Sequence, residues 1–587
     1  MGNETMLAPG NSSGPIDNIW LSSKIIMLIA TILAIISTAW VARFIQYRNS
    51  YKEYASGIPC PPFSTLLGTL KSMGDQYAHA PMTAHPHGIM TMIYDKYNLK
   101  DMFILDNWPF FRWRQIIICD PNLAAQCTQN HSLPKSVVTG QYVGHITGKR
   151  SILLTEGLEW KKNRALFNQG FALAHLTTLM PSLVDEVEIF RDVLGKLADS
   201  GEVYPIEEAA AFLTIDIMGH VVLDISLNSQ TIKSELVEYF RNSISWTPKI
   251  VATNPLVNLN PLGPIMRKYY EWKMDGYLNK VLDARFAEKG GSASKGKKKP
   301  VIDTALDEYI LQQEEDNVAL GDRGLDQTFK QVSIDQMKTF LFAGHDTTSS
   351  TIAYTYHLLG KNPRCLAKAR DELDRVFGKD TSKTGDMIKE QPSIVNQLPY
   401  VYSCIKETLR RYPPADTARH GDDLVLEYEG RQFPTKDFMV MVCVHTIHHR
   451  EDLFPSPYEF IPERFMPAPD NFQEIPKNAW RPFERGSRDC IGQELALLEM
   501  KIVMAMTLRE FDINSDYETW DRKLGRKEPG SILNGTRGCS VRGFLLRDQS
   551  DISNANKTLG DRAYQELIAS AKPSDGMPAK IERRTRN

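Results

Sequence analysis

Residues 483–492 run Phe483-Glu484-Arg485-Gly486-Ser487-Arg488-Asp489-Cys490-Ile491-Gly492, and the rest of the chain is read outward from them. Cys490 opens a helical pattern that continues through Leu495, Leu498, Ile502 and Met506. A thiol at a helix N-terminus meets unpaired backbone N–H groups and the positive end of the helix dipole, which favour the thiolate. Gly486 permits a tight turn, and Gly492 lets a flat ligand approach the helix backbone. Arg488 sets a fixed cation two residues from the sulfur, suited to a carboxylate on that ligand. The remaining cysteines, Cys60, Cys119, Cys127, Cys365, Cys404, Cys443 and Cys539, form no CxxC and no Cys/His cluster. They read as small hydrophobes, without a disulfide framework or a structural zinc site.

The chain has 587 residues, 42% hydrophobic and 24% charged, with 69 Lys+Arg against 71 Asp+Glu and a formal net charge of −2. That balance excludes a disordered chain and a polytopic membrane protein, and it points to no nucleic-acid partner. A prior of roughly 150 residues per domain suggests about four domains. No repeat and no long structureless linker divides the sequence after residue 62, however, which favours one large domain over 63–587.

The pattern FxxGxRxCxG resembles the haem-binding signature of the cytochrome P450 family, the haem-thiolate monooxygenases, and every fixed position is present. The resemblance implies haem b with Cys490 as the axial iron ligand, Phe483 packed near the sulfur and Arg488 on a haem propionate. Thiolate ligation donates electron density that favours O–O cleavage. Other motifs follow in the family's order. Glu407-Thr408-Leu409-Arg410 matches ExxR, and Pro462-Glu463-Arg464-Phe465 matches PERF, so Glu407, Arg410 and Arg464 are expected to form a buried, structural charge cluster. Trp160 and Arg164 resemble the WxxxR pair that meets the propionates, and Arg419, after Tyr412-Pro413-Pro414, matches another propionate-contacting arginine. The implied fold is mainly α with small β-sheets, closed by a β-hairpin near residues 560–578. The wording Ile491-Gly492-Gln493-Glu494-Leu495-Ala496 is most like fungal microsomal members. Residues 516–558 are longer and more polar than a minimal member and read as a surface insertion.

A second segment, Ala343-Gly344-His345-Asp346-Thr347-Thr348, resembles the family's AGxDTT stretch on the helix that crosses the distal haem face. The pattern predicts a helix over 334–359, with Ser333 and Gln336 as a capping box. Ala343 and Gly344 are expected beside the cofactor, with Gly344 clearing space for it. Thr347 is expected to bond back to the Ala343 carbonyl, and Asp346 with Thr347 to relay protons. His345 reads as a polar variable position, not as a metal ligand.

At the other end, Ile25–Ala42 holds eighteen residues without a charge, flanked by Ile19–Leu21 and Phe44–Ile45. A helix of that length spans about 27 Å, enough for a thin bilayer core. The expected organisation is a luminal tail 1–18, a transmembrane anchor 19–45, a proline-rich linker 46–62 and the haem domain 63–587. Arg43, Arg48 and Lys52 after the span place that domain in the cytosol, at the endoplasmic reticulum membrane, by the positive-inside rule. The sequons at Asn3 and Asn11 then face the lumen and fit a glycoprotein. The apolar loop 251–264 is expected against the membrane, and 289–300 as a flexible basic connection.

The expected reaction inserts one atom of O₂ into a lipophilic substrate, a secondary metabolite of polyketide or terpenoid type. Electrons come from NADPH through a membrane-bound flavoprotein reductase, with Lys161, Lys162, Arg481 and Arg485 as a basic docking face. The expected pocket uses Val137–His145, Phe340, Thr348, Ala415–Thr417, Ser570 and Ala571. The alternatives are fatty-acid or alkane hydroxylation and, in another class, a haem-thiolate isomerase or dehydratase or a non-enzymatic haem protein. The last two need no acid–alcohol pair such as Asp346 and Thr347.

Overall fold

A computed structural model describes residues 15–54, 57–81, 83–108, 113–247, 260–289, 300–315, 324–466, 474–526 and 557–585. The sequons at Asn3 and Asn11, residues 251–259 of the loop 251–264, most of 289–300 and the bulk of 516–558 lie outside the described residues.

The centre is a helical core in which Leu173–Ser200, Ile206–Met218, Gln327–Lys361, Pro399–Arg411 and Gln493–Thr507 pack together. Their facing positions are fully buried: Leu183, Val187 and Phe190 on the first, Leu213 on the second, Ile352 and Ala353 on the third, Ile405 on the fourth and Ile502 on the last. The spacing is that of amphipathic helices buried on one stripe. The helix Gln327–Lys361 is buried almost all round from Ser333 onward, because it crosses the middle of the core.

The sheets are small. The strands Met102–Leu105, Arg114–Ile118, Phe438–Val442 and Thr417–His420 form one sheet in that order. Its inner pair is parallel, with Ile116 opposite Val440. The strands Gln565–Ile568 and Ser570–Pro573 form the closing hairpin, turned at Ala569 with φ 67°. A three-stranded sheet joins Tyr204–Pro205, Pro578–Arg583 and Phe511–Ser515.

Two expectations about elements fail, each for a local reason. The central helix starts at Gln327, where Asp326 accepts hydrogen bonds from the N–H groups of Thr328 and Phe329 at 2.8 and 2.9 Å. Ser333 is therefore mid-helix and buried. Gln336 caps nothing: its amide accepts from the Ile152 N–H and donates to the Arg150 carbonyl, tying the helix to the neighbouring loop. The second concerns residues 46–54, expected as linker. They continue the first helix, which runs unbroken from Pro15 to Tyr54. Within it, Lys24–Tyr51 is long and apolar enough to cross a membrane. Arg48 is not a free flanking charge; it is fully buried against Asp106.

Candidate haem site

The cysteine loop is shaped by a turn that only glycine can make. Gly486 has φ 103°, and a Cβ there would stand 2.0 Å from the Thr128 carbonyl oxygen. The Cys490 N–H donates to the Phe483 carbonyl at 2.9 Å, closing the loop across its ends. Helix Gln493–Thr507 follows, with Gly492 at its N-cap position and open space where a Gly492 side chain would lie. Cys490 is exposed, although burial by surrounding protein pushes its thiol up while the bond from Gly492 pulls it down. The lowering by the Gly492 N–H is the direction expected of a thiol at the start of this helix. A metal bound by the sulfur would deprotonate it outright.

Around this loop the cations separate into two groups. Arg164 is committed to Asp489, donating to its carbonyl and carboxylate, both at 2.8 Å. It braces the cysteine loop from helix Gly157–Asn168. Arg488 stacks 4.3 Å over the Trp160 ring, donates to the Thr155 carbonyl at 3.0 Å and pairs with Glu156. Arg419 differs: it is fully buried, donates once to the Leu133 carbonyl at 3.3 Å, and leaves Nε and Nη2 without partners. Lys135 bridges to the Arg419 backbone and was not foreseen. Burial, then the neighbouring Arg419 and Arg488 charges, push its ammonium down to about 7. The available signal was a lysine set in Leu133-Pro134-Lys135-Ser136-Val137-Val138, an otherwise apolar run.

A buried guanidinium with two orphaned N–H groups beside a second compressed cation requires an anion. Haem carries two propionates, needs an axial thiolate and is flat enough for the open side of Gly492. The residues present fit that group. Arg419, Lys135 and Arg488 would hold the propionates and Cys490 the iron.

The opposite wall is helix Gln327–Lys361. Ala343 is exposed within a buried run and Thr347 is partly exposed. Thr347 Oγ1 donates to the Ala343 carbonyl at 2.9 Å, as expected. Asp346 is buried and ion-paired with Lys572 of the closing hairpin, Nζ to Oδ1 2.7 Å. Lys572 also meets Glu207 at 2.8 Å, and Ser349 donates to the same Glu207 oxygen at 2.9 Å. Burial alone would lower the lysine, but Asp346 and Glu207 outweigh it and raise it above its ordinary value. Neither Lys572 nor Glu207 was legible, since their meeting depends on the hairpin folding back over 225 residues. His345 is buried, bonds the Leu341 carbonyl at 2.7 Å and is held neutral by burial.

Several expected roles change. A Cβ on Gly344 would lie 2.4 Å from Met218 Sδ, so this glycine serves helix packing, not cofactor clearance. Phe340 packs edge-on against Phe167 and Phe171 at 5.3 and 4.9 Å in the core. Asp416 is held by His87 Nδ1 at 2.9 Å and by the Val444 N–H at 2.9 Å, which turns its carboxylate away from a pocket. Arg481 is buried, paired with Glu484 and bonded to Thr128, so it belongs to no docking face. Lys161, Lys162 and Arg485 are exposed.

Glu407, Arg410 and Arg464 meet in one buried cluster behind the site. Glu407 takes two bonds of 2.8 Å from Arg410, one of 3.3 Å from Arg464 and one of 3.1 Å from the Ile461 N–H. Arg410 also donates to the His448 carbonyl at 2.7 Å, which fastens the helix Pro399–Arg411 to the segment behind the large sheet.

A cysteine presented just before a helix N-terminus, with Arg419 buried and lacking partners for two of its nitrogens, suits a haem-thiolate protein. Comparison with known sequences agrees: the cytochrome P450 family matches residues 65–537. The chain is 37% identical to cytochrome P450 monooxygenase acrF of Aspergillus aculeatus, over 85% of this chain and 97% of that protein. It is 34% identical to cytochrome P450 monooxygenase polC of Polytolypa hystricis, over 88% and 93% respectively. Cytochrome P450 4A6 of Oryctolagus cuniculus is 25% identical over 92% and 98%. The chain belongs to the cytochrome P450 family and is a haem-iron monooxygenase.

Proposed function

We propose that this protein is a membrane-anchored monooxygenase that oxidises a lipophilic secondary metabolite of polyketide or terpenoid type. The supporting observation is a buried Arg419 whose Nε and Nη2 have no partner, found together with an exposed Cys490. Haem bound there supplies iron for the activation of O₂.

The chain's own residues divide the remaining work. Arg419, Lys135 and Arg488 neutralise and orient the propionates. Arg164, through Asp489, fixes the loop that carries Cys490. Thr347 holds a proton at Oγ1 on a groove where its own bond to Ala343 opens the helix wall. Asp346 passes protons toward that hydroxyl, its carboxylate held by Lys572, which Glu207 holds in turn. The acid and alcohol together favour oxygenation over isomerisation, which needs no proton delivery to bound oxygen.

Electrons arrive from NADPH through a flavoprotein reductase that docks on the face carrying Lys161, Lys162 and Arg485, where a depression of about 490 Å³ runs between Trp160, Arg164 and Asp489. The apolar part of the first helix spans the endoplasmic reticulum membrane, and the haem domain is cytosolic. The first test is the reduced, CO-bound absorption spectrum: a thiolate-type band is expected in the wild type and lost in Cys490→Ala. Persistence of the band in that variant overturns the ligand assignment. Metabolite profiling of a host lacking the gene then tests the substrate class.

A further inference from the structure

The first helix does two jobs along one unbroken axis. From Lys24 to Arg43 its side chains are exposed. From Phe44 onward one stripe turns into the protein: Phe44, Tyr47, Arg48, Tyr51 and Tyr54, the spacing of a single helix face. Tyr51 stacks on Phe63 at 4.3 Å and Tyr54 on Phe438 at 4.5 Å, while the Tyr54 hydroxyl donates to the Pro434 carbonyl at 2.7 Å.

The centre of the joint is ionic. Arg48 Nη1 lies 2.7 Å from Asp106, both side chains fully buried. Its other amino group donates to the Leu66 carbonyl at 3.0 Å and the Trp108 carbonyl at 3.4 Å. Arg114 lies 3.8 Å over the Tyr47 ring and donates to the Tyr47 carbonyl. A buried pair with this many fixed partners specifies geometry more than it adds stability. A plain tether would need none of it.

The same arginine binds two apolar features of the domain. Leu66 and Leu67 project from a tight turn with 69% and 45% of their surface exposed. Trp108 lies 5.1 Å from both Trp40 and Phe44. Trp40 is eight residues before Arg48, about 12 Å along the helix axis. The charge-free stretch ends at Ala42, so Trp108 lies level with the end of the hydrocarbon and the Leu66–Leu67 turn within the headgroup layer.

We propose that Phe44–Tyr54 is a rigid socket joint that seats the haem domain on the bilayer at one tilt and depth, with Trp108, Leu66 and Leu67 as a second lipid contact beside the span. The inference rests on the reading of the first helix as a membrane anchor. It is tested with the full-length, haem-loaded chain in phosphatidylcholine bilayers.

In oriented bilayers the wild type is expected to show strong linear dichroism of the haem band, the mark of one tilt. Arg48→Met with Asp106→Asn, which removes the pair and also the carboxylate 3.7 Å from the Arg114 Nε, is expected to lose most of that dichroism while resisting alkaline carbonate extraction like wild type. Brominated phosphatidylcholine is expected to quench a tryptophan signal that is absent from Trp108→Phe. Surface variants Leu66→Ser and Leu67→Ser, which leave the core untouched, are expected to shift the tilt. Averaged haem orientation in the wild type, unchanged dichroism in the pair and leucine variants, or equal quenching in Trp108→Phe overturns the proposal. Release of the wild type by carbonate overturns the anchor reading itself, and the proposal with it.

Discussion

Lys135 holds its proton weakly because it is buried and because Arg419 and Arg488 stand beside it. Its folded value of about 7 lies below the unfolded lysine range near 10.4, so the unfolded chain binds more protons between those values. The haem-free protein should therefore gain stability as pH rises from about 7 toward 10, and Lys135→Met should flatten that slope. Differential scanning fluorimetry of the two haem-free proteins checks this. In the loaded protein the order reverses. Lys135→Met and Arg419→Leu should each weaken haem retention by about 1.5–3 kcal/mol, a charge-assisted hydrogen bond apiece, read as faster haem transfer to apomyoglobin. At Cys490 the sequence signalled both the residue and the backbone N–H, that of Gly492, that draws its thiol down against burial.

At the scale of elements, the packed core was legible wherever a hydrophobic period of 3.6 was uninterrupted. The helix Pro363–Phe377 opens on a proline and stops at Gly378, and Pro399–Arg411 likewise opens on a proline. Boundaries failed where a polar residue had two readings: Ser333 and Gln336 mimic a cap, but Asp326 supplies the real one. Gly344 failed for a related reason, since nothing in a linear motif shows which neighbour a glycine faces. Gly344→Ala should cost about 1–3 kcal/mol by overpacking against Met218, and Met218→Ala should restore most of it. Thermal unfolding of the single and double variants decides this; no rescue would return Gly344 to a role beside the cofactor. The Glu407 cluster makes a sharper forecast. Glu407→Gln strands two buried arginines and should cost about 3–5 kcal/mol in urea unfolding, with loss of haem.

For the whole molecule, the motifs located the site because they lie in chain order on elements whose packing is local to them. What closes the site came from elsewhere. Lys572 reaches Asp346 from the closing hairpin, Asp416 is withdrawn by His87 from a helix near the start of the domain, and Arg481 is taken inward by Thr128. These are tertiary meetings with no periodicity to announce them. The surface that remains, Lys161, Lys162 and Arg485, carries the forecast for electron delivery. Lys161→Ala with Lys162→Ala should raise the apparent KM for reductase several-fold at low salt. That difference should fade near 0.5 M salt, where the screening length falls below about 5 Å.

On the proposed anchor reading, the unbroken first helix would also couple the enzyme to the mechanical state of its membrane. A span straightens as hydrocarbon thickens and leans as it thins, at a cost of fractions of a kcal/mol per ångström of mismatch. With no hinge between Lys24 and Tyr54, that leaning is a lever stroke applied to the domain through Arg48 and Asp106. Sterol content and acyl-chain length would then set how the haem domain is presented to the bilayer surface.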